Sequence, residues 1–106
     1  MVKAKFMGIS TEYPIPAGES ILGRKFEESD ANIQIQEYDM ESISRYHCDI
    51  KNTEEILEIK DVGSKNGTYI NNEKIEPHKF HKLNNLDNLT LGNCTLEVKV
   101  KNQLFG

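Results

Sequence analysis

Three short stretches of this chain bring hydrogen-bond donors and positive charge to the ends of strand-like runs: Gly23-Arg24, Ser44-Arg45-Tyr46-His47 and the turn Asp61-Val62-Gly63-Ser64-Lys65-Asn66-Gly67-Thr68. Arg24, the Ser44 hydroxyl, Arg45 and Lys65 can all donate to one anion if the fold makes their loops converge. Any one of these stretches alone has an ordinary reading. Asn-Gly between strands is a tight reversal, and a single arginine such as Arg24 reads as a solvated side chain. Three basic loops at one end of a sandwich would make an anion site.

The elements that must position these residues follow from alternation. Val2, Ala4 and Phe6 alternate with lysines, and Tyr13 and Ile15 flank Pro14 in a run that fits a short edge strand, since proline lacks a ladder donor. Ser20 to Arg24 reads as a strand in which Gly23 allows close backbone approach and Arg24 emerges at the tip. Lys25 to Asn32 is charged and reads as loop. Ile33 and Ile35 form the next short strand, followed by polar chain to Ser42. Counting by twos from Ile50 predicts Cys48 and Tyr46 on its face, with His47 and Asp49 on the other. Leu57 and Ile59 lead into the Asp61 turn, and Asn71-Asn72 forms a hairpin between Ile70 and Ile75. Cys94, Leu96, Val98 and Val100 form the cleanest strand. Many short strands with frequent turn signals and no helical period predict an all-β fold, a sandwich or a barrel, in one domain spanning 1–106.

Composition narrows the function. The 106 residues carry a formal charge of −4, against the basic stripe of a nucleic-acid binder, so no nucleic-acid partner is expected. No apolar run reaches the length of a membrane span or signal core, and neither a membrane partner nor secretion is expected. Cys48 and Cys94 fall on inward positions and read as buried free thiols of an intracellular, cytoplasmic protein. The three Asn-X-Thr matches, beginning at Asn66, Asn88 and Asn93, then read as chance.

Catalytic and metal readings fail on geometry and composition. Ser44 and His47, three residues apart on a strand, would face opposite ways, and no acid is placed to orient the histidine. His78 and His81 lack a close cysteine pair for zinc. The Gly63–Thr68 loop lacks the Gly-Lys-Ser/Thr ending of a nucleotide-binding loop. No enzyme activity, catalytic residue, metal or cofactor is expected.

Taken as an ordered set, Gly23-Arg24, Ser44-Arg45-Tyr46-His47, Asp61 with Ser64 to Thr68, Asn71-Asn72 and Leu91-Gly92 resemble the signature of the forkhead-associated (FHA) domain, over about residues 20–100. The resemblance implies a two-sheet antiparallel β-sandwich with ligand loops at one end, binding phosphothreonine. It implies phosphate contacts from Arg24 and Ser44, with Lys65 or its backbone nearby and Arg45 within reach of phosphate or peptide. Asn66 would hold the peptide main chain. Gly23 would let the backbones approach, His47 would be a buried structural histidine, and Gly67 would close the turn. The implied partner is a threonine-phosphorylated protein or peptide, such as a Ser/Thr kinase or its substrate, in kinase-linked signalling. The alternative is a degenerate member mediating phosphate-independent protein interaction. Lys65 departs from the Thr or Ser of many relatives, and Asn72 from the usual glycine.

Overall fold

The computed structural model describes residues 2–102. In chain order the strands are β1 (Val2–Met7), β2 (Glu12–Ile15), β3 (Gly18–Arg24), β4 (Ile33–Ile35), β5 (Cys48–Asn52), β6 (Leu57–Asp61), β7 (Thr68–Ile70), β8 (Glu73–Lys74), β9 (His81–Leu83), β10 (Asn88–Leu91) and β11 (Cys94–Asn102). One sheet has the order β2-β1-β11-β10-β7-β8, and the other β4-β3-β5-β6-β9. Between β4 and β5 the only regular element described is a 3-10 turn, Met40–Ser42.

Period-two patterning builds the core between the sheets. Leu22, Ile50 and Ile59 from one sheet and Phe6, Leu89, Leu96 and Val98 from the other are fully buried. Such side chains stabilise the fold by about 1.5–3 kcal/mol each relative to exposure. Cys48 and Cys94 are buried free thiols. Pro14 lies on the edge strand β2, where its missing N–H costs no ladder bond on the open side. Asn71 and Asn72 take φ values of 50° and 71° in the β7–β8 turn, the left-handed pair that a two-residue hairpin requires. Among the described residues no helix is long and apolar enough to cross a membrane.

The expected two-sheet, mostly antiparallel sandwich is present, with one parallel pair inside it and one correction at the entry to β5. The sandwich is not wholly antiparallel, because β4 runs parallel to β3, with Leu22 opposite Ile33 and Arg24 opposite Ile35. The Lys25–Asn32 connection carries the chain back before it re-enters the sheet. Tyr46 is not on the inward face of β5; it is 44% exposed, while His47 is buried. The strand begins only at Cys48, so alternation counted back from Ile50 loses its meaning two residues before the strand.

The topology brings the polar loops to one end. In the antiparallel pairs β3–β5 and β5–β6, Leu22 lies opposite Cys48 and Cys48 opposite Asp61. The end of β3, the entry to β5 and the exit from β6 therefore share one rim.

Candidate functional site

Ser44 joins the three loops. Its carbonyl accepts a hydrogen bond from the Arg24 N–H at 3.1 Å, and its Oγ accepts one from the Lys65 N–H at 2.9 Å. Its own N–H donates to Nδ1 of His47 at 3.0 Å. The Ser44 hydroxyl hydrogen is left to point elsewhere, because Oγ serves the Lys65 contact only as an acceptor. This approach needs a glycine at position 23. A Cβ there would lie 1.8 Å from the Arg45 carbonyl oxygen, far inside any contact distance.

His47 is the buried strut beneath these loops. With Nδ1 accepting from Ser44, the ring hydrogen sits on Nε2 and donates to the Gly67 carbonyl at 3.0 Å. The neutral imidazole thus spans two loops. Burial pushes its pKa below the ordinary 6.5, only partly opposed by the Gly67 bond and the nearby Asp61 carboxylate. Ser44 and His47 meet across a turn of the loop that precedes β5 rather than along a strand, but the imidazole bonds the Ser44 backbone and not its hydroxyl. This is a support, not a nucleophile–base pair.

Asp61 organises the next turn. Its Oδ1 accepts from the N–H groups of Gly63 at 2.7 Å and Ser64 at 2.8 Å. Its Oδ2 accepts from the Ser64 hydroxyl and, at 2.7 Å, the Thr68 hydroxyl. Burial pushes the carboxyl pKa up, but bonds from Ser64, Thr68 and the two backbone donors outweigh burial and hold it below the usual value. Because the Thr68 hydroxyl donates to Asp61, the Cys48 thiol must donate to Thr68 Oγ1, at 3.3 Å. Gly67, at φ 83°, turns its N–H back to Ser64 Oγ at 3.0 Å. His47, Cys48 and Asp61 offer potential ligand atoms within 4.8 Å of one another. Hydrogen bonds within the network already account for all three groups.

The remaining side chains surround this frame. Arg24 is half-buried at the rim, its Nη1 3.5 Å from the Glu41 carbonyl. Arg45 is exposed, with its guanidinium carbon 5.0 Å over the Phe26 ring. Phe26 in turn meets Tyr46 edge-on, and the Tyr46 hydroxyl donates to Asp30 at 2.9 Å. The Lys25–Asn32 loop is therefore tied to the Ser44 loop through aromatic rings. Sequence reasoning missed Phe26, although a lone aromatic in a charged loop is a signal for such packing. Asn66 is exposed and donates to the Ser42 carbonyl at 2.9 Å, which leaves its second N–H and its Oδ1 for another partner. Beside it a polar groove of about 480 Å³ is lined by Asn66, Tyr69, Asn72, Thr90, Gly92 and Asn93.

Arg24, Arg45 and Lys65 thus bring three positive charges to one rim of a chain whose net charge is −4. The Lys65 N–H is engaged by Ser44 Oγ, so its side chain is the donor that remains for a ligand.

Comparison with known proteins agrees with this architecture. The FHA domain family model matches residues 20–92, which contain Arg24, Ser44, Arg45, Lys65 and Asn66. Protein FraH from Nostoc sp. (strain PCC 7120 / SAG 25.82 / UTEX 2576) is 46% identical over 52 residues, covering 49% of this chain. The chain spans 18% of the length of that relative. An FHA domain solved in work on phosphothreonine-dependent FHA domain interactions superposes with a TM-score of 0.74 at 25% identity, covering 92% of this chain and 94% of its own. The FhaA FHA domain complexed with the intracellular domain of Rv3910 also gives 0.74 at 25% identity, covering 93% of this chain and all of its own. With the family model covering more than half of its length, the chain belongs to the FHA domain family.

Proposed function

We propose that this domain binds threonine-phosphorylated proteins or peptides in kinase-linked, cytoplasmic signalling and carries out no reaction of its own. The observation that carries the reading is the Ser44 junction, which locks the loops bearing Arg24, Arg45 and Lys65 against one another. A phosphothreonine carries about −1.5 to −2 charges and three acceptor oxygens near neutral pH, and needs donors from several directions. Arg24, the Ser44 hydroxyl, Arg45 and the Lys65 ammonium group supply them, and Asn66 reads the peptide main chain with its amide. Gly23, His47 and Gly67 keep the loops in place. Pre-locked loops lower the entropic cost of ordering the site on binding. The family and the phosphothreonine-dependent relative support this reading.

Arg24 provides the test. Titration of a phosphothreonine peptide into wild type and Arg24→Ala should show a loss of roughly 1.5–3 kcal/mol, about ten- to more than a hundredfold in affinity. Lysine at position 24 should rescue only part, because a point charge does not reproduce the planar fork. Matched phosphoserine and unphosphorylated peptides should bind more weakly. Equal affinities across these peptides, or for wild type and Arg24→Ala, would replace this reading with a phosphate-independent interaction module.

A further inference from the structure

The tip of the β10–β11 hairpin, Gly92-Asn93, closes on two of the ligand-side loops. The Gly92 N–H donates to the Gly67 carbonyl at 3.2 Å, and the Asn93 N–H donates to Ser42 Oγ at 2.8 Å. Ser42 ends the 3-10 turn, and its own hydroxyl hydrogen goes to the Asp39 carbonyl at 2.8 Å. The Ser42 carbonyl in turn accepts from Asn66 Nδ2 at 2.9 Å. Asn66 and Gly67 are neighbours in the chain, so these contacts close a ring that runs from Ser42 through the hairpin tip, Gly67 and Asn66 back to Ser42. Its bonds to Ser42 come from residues 24 and 51 positions away. The ring is tight, since a Cβ on Gly92 would stand 2.3 Å from the Ser42 carbonyl oxygen and 2.6 Å from Oγ. An exposed asparagine ordinarily satisfies its amide with water and keeps its rotamer freedom. Asn66 is exposed, yet one of its N–H groups is held by this ring.

We propose that Ser42 is the positioning residue for Asn66: its hydroxyl, fixed between Asn93 and Asp39, holds the carbonyl that orients the Asn66 amide for the main chain of a bound peptide. A carbonyl only accepts, so the atom turned to Ser42 is Nδ2, and Oδ1 cannot take its place. One acceptor, Oδ1, and one donor, the second N–H, remain for a ligand. They complement the N–H and C=O of a peptide backbone. Asn66, Gly92 and Asn93 also line the polar groove of about 480 Å³, so the ring stands at the wall along which such a main chain would run. Fixing the amide beforehand removes rotamer entropy that binding would otherwise cost. Ser42 acts through Asn66 and not on the ligand, because its hydroxyl already donates to Asp39 and accepts from Asn93. The role rests on Asn66 reading the peptide main chain, as in the proposed function.

Heteronuclear NMR of the free domain reads the amide directly. In wild type the Asn66 proton bonded to Ser42 should lie downfield and exchange slowly with water. In Ser42→Ala it should move to the position of a solvated asparagine, and Asn66→Ala identifies the signal by its loss. Titration of a phosphothreonine peptide reads the consequence. Ser42→Ala should weaken binding about three- to tenfold in the wild-type background. With Asn66 already replaced by alanine the same change should cost less than about 1.5-fold, because nothing is left to position. Thr53→Ala removes a hydroxyl bond to the Ile56 carbonyl on the β5–β6 turn, at the far end of that strand pair from the site. It should leave the Asn66 signal and the affinity unchanged, whatever it costs in urea midpoint. An unshifted Asn66 signal in Ser42→Ala, or an equal loss of affinity in the two backgrounds, would overturn the proposal. A wild type that binds phosphorylated and unphosphorylated peptides alike strikes the phosphothreonine reading instead, and the amide signal of the free domain then decides the role of Ser42 by itself.

Discussion

Ser44 uses its N–H to brace its own loop on His47 and its carbonyl and hydroxyl oxygen to hold two others, so replacing it removes more than a donor to a ligand. Ser44→Ala should cost about 0.5–1.5 kcal/mol of stability by depriving the Lys65 N–H of its acceptor, and should also weaken phosphopeptide binding. Lys65→Ala keeps that backbone bond and should weaken binding with no change in the denaturant midpoint. An equal stability loss in both variants would show that the junction does not run through the Ser44 hydroxyl. His47→Ala strips partners from the Ser44 N–H and the Gly67 carbonyl in a buried setting, and should lower stability by at least about 2 kcal/mol. An unshifted melting temperature would contradict that role. That these three loops carry donors and positive charge was legible from residue types and order alone. Which donors are already engaged was not, because the bond between the Lys65 N–H and Ser44 Oγ joins residues 21 positions apart and leaves no local pattern.

At the scale of elements, strand alternation predicts the sheets well wherever a ladder exists, as in β5, β6 and β11. It fails two residues outside the ladder, where Tyr46 leaves the expected face to pack on Phe26. The parallel β3–β4 pair was equally hidden, since two apolar positions at Ile33 and Ile35 fix a strand but not its direction. The tip of β3 depends on contact between backbones. Gly23→Ala should force β3 away from the Arg45 carbonyl, costing about 1–3 kcal/mol and weakening peptide binding even with Arg24 intact. Wild-type stability in that variant would show that the strand tip yields freely. The β7–β8 hairpin offers the opposite sign. Asn72 holds φ 71° at the small cost of a left-handed residue, so Asn72→Gly should raise stability by about 0.5 kcal/mol in thermal unfolding.

For the molecule as a whole, buried His47 and Asp61, with Nε2 and Oδ2 3.9 Å apart, tie stability to pH in the same direction. Burial depresses the His47 pKa despite the Gly67 bond and Asp61, so the unfolded chain binds the proton more tightly than the native one. Stability from this group is complete above the unfolded value of 6.5 and declines as pH falls from there to the folded pKa. The slope for one proton is at most about 1.4 kcal/mol per pH unit. Protonation at Nδ1 also breaks the Ser44 bond, so the loss reaches the site as well as the core. Asp61 is likewise depressed, and its contribution disappears only as pH falls from 3.8 through a lower folded value. Urea unfolding of the isolated domain should therefore show a falling midpoint below pH 6.5 and a second decline below about pH 4. The first window overlaps the second ionisation of phosphothreonine near pH 6, where the ligand loses charge and binding weakens for its own reason. Unfolding without peptide separates the two effects, because only the His47 effect survives there. A midpoint that stays flat from pH 7 to pH 5 would mean that His47 takes up a proton as readily in the folded domain as in the unfolded chain, contradicting an Nδ1 that accepts from Ser44.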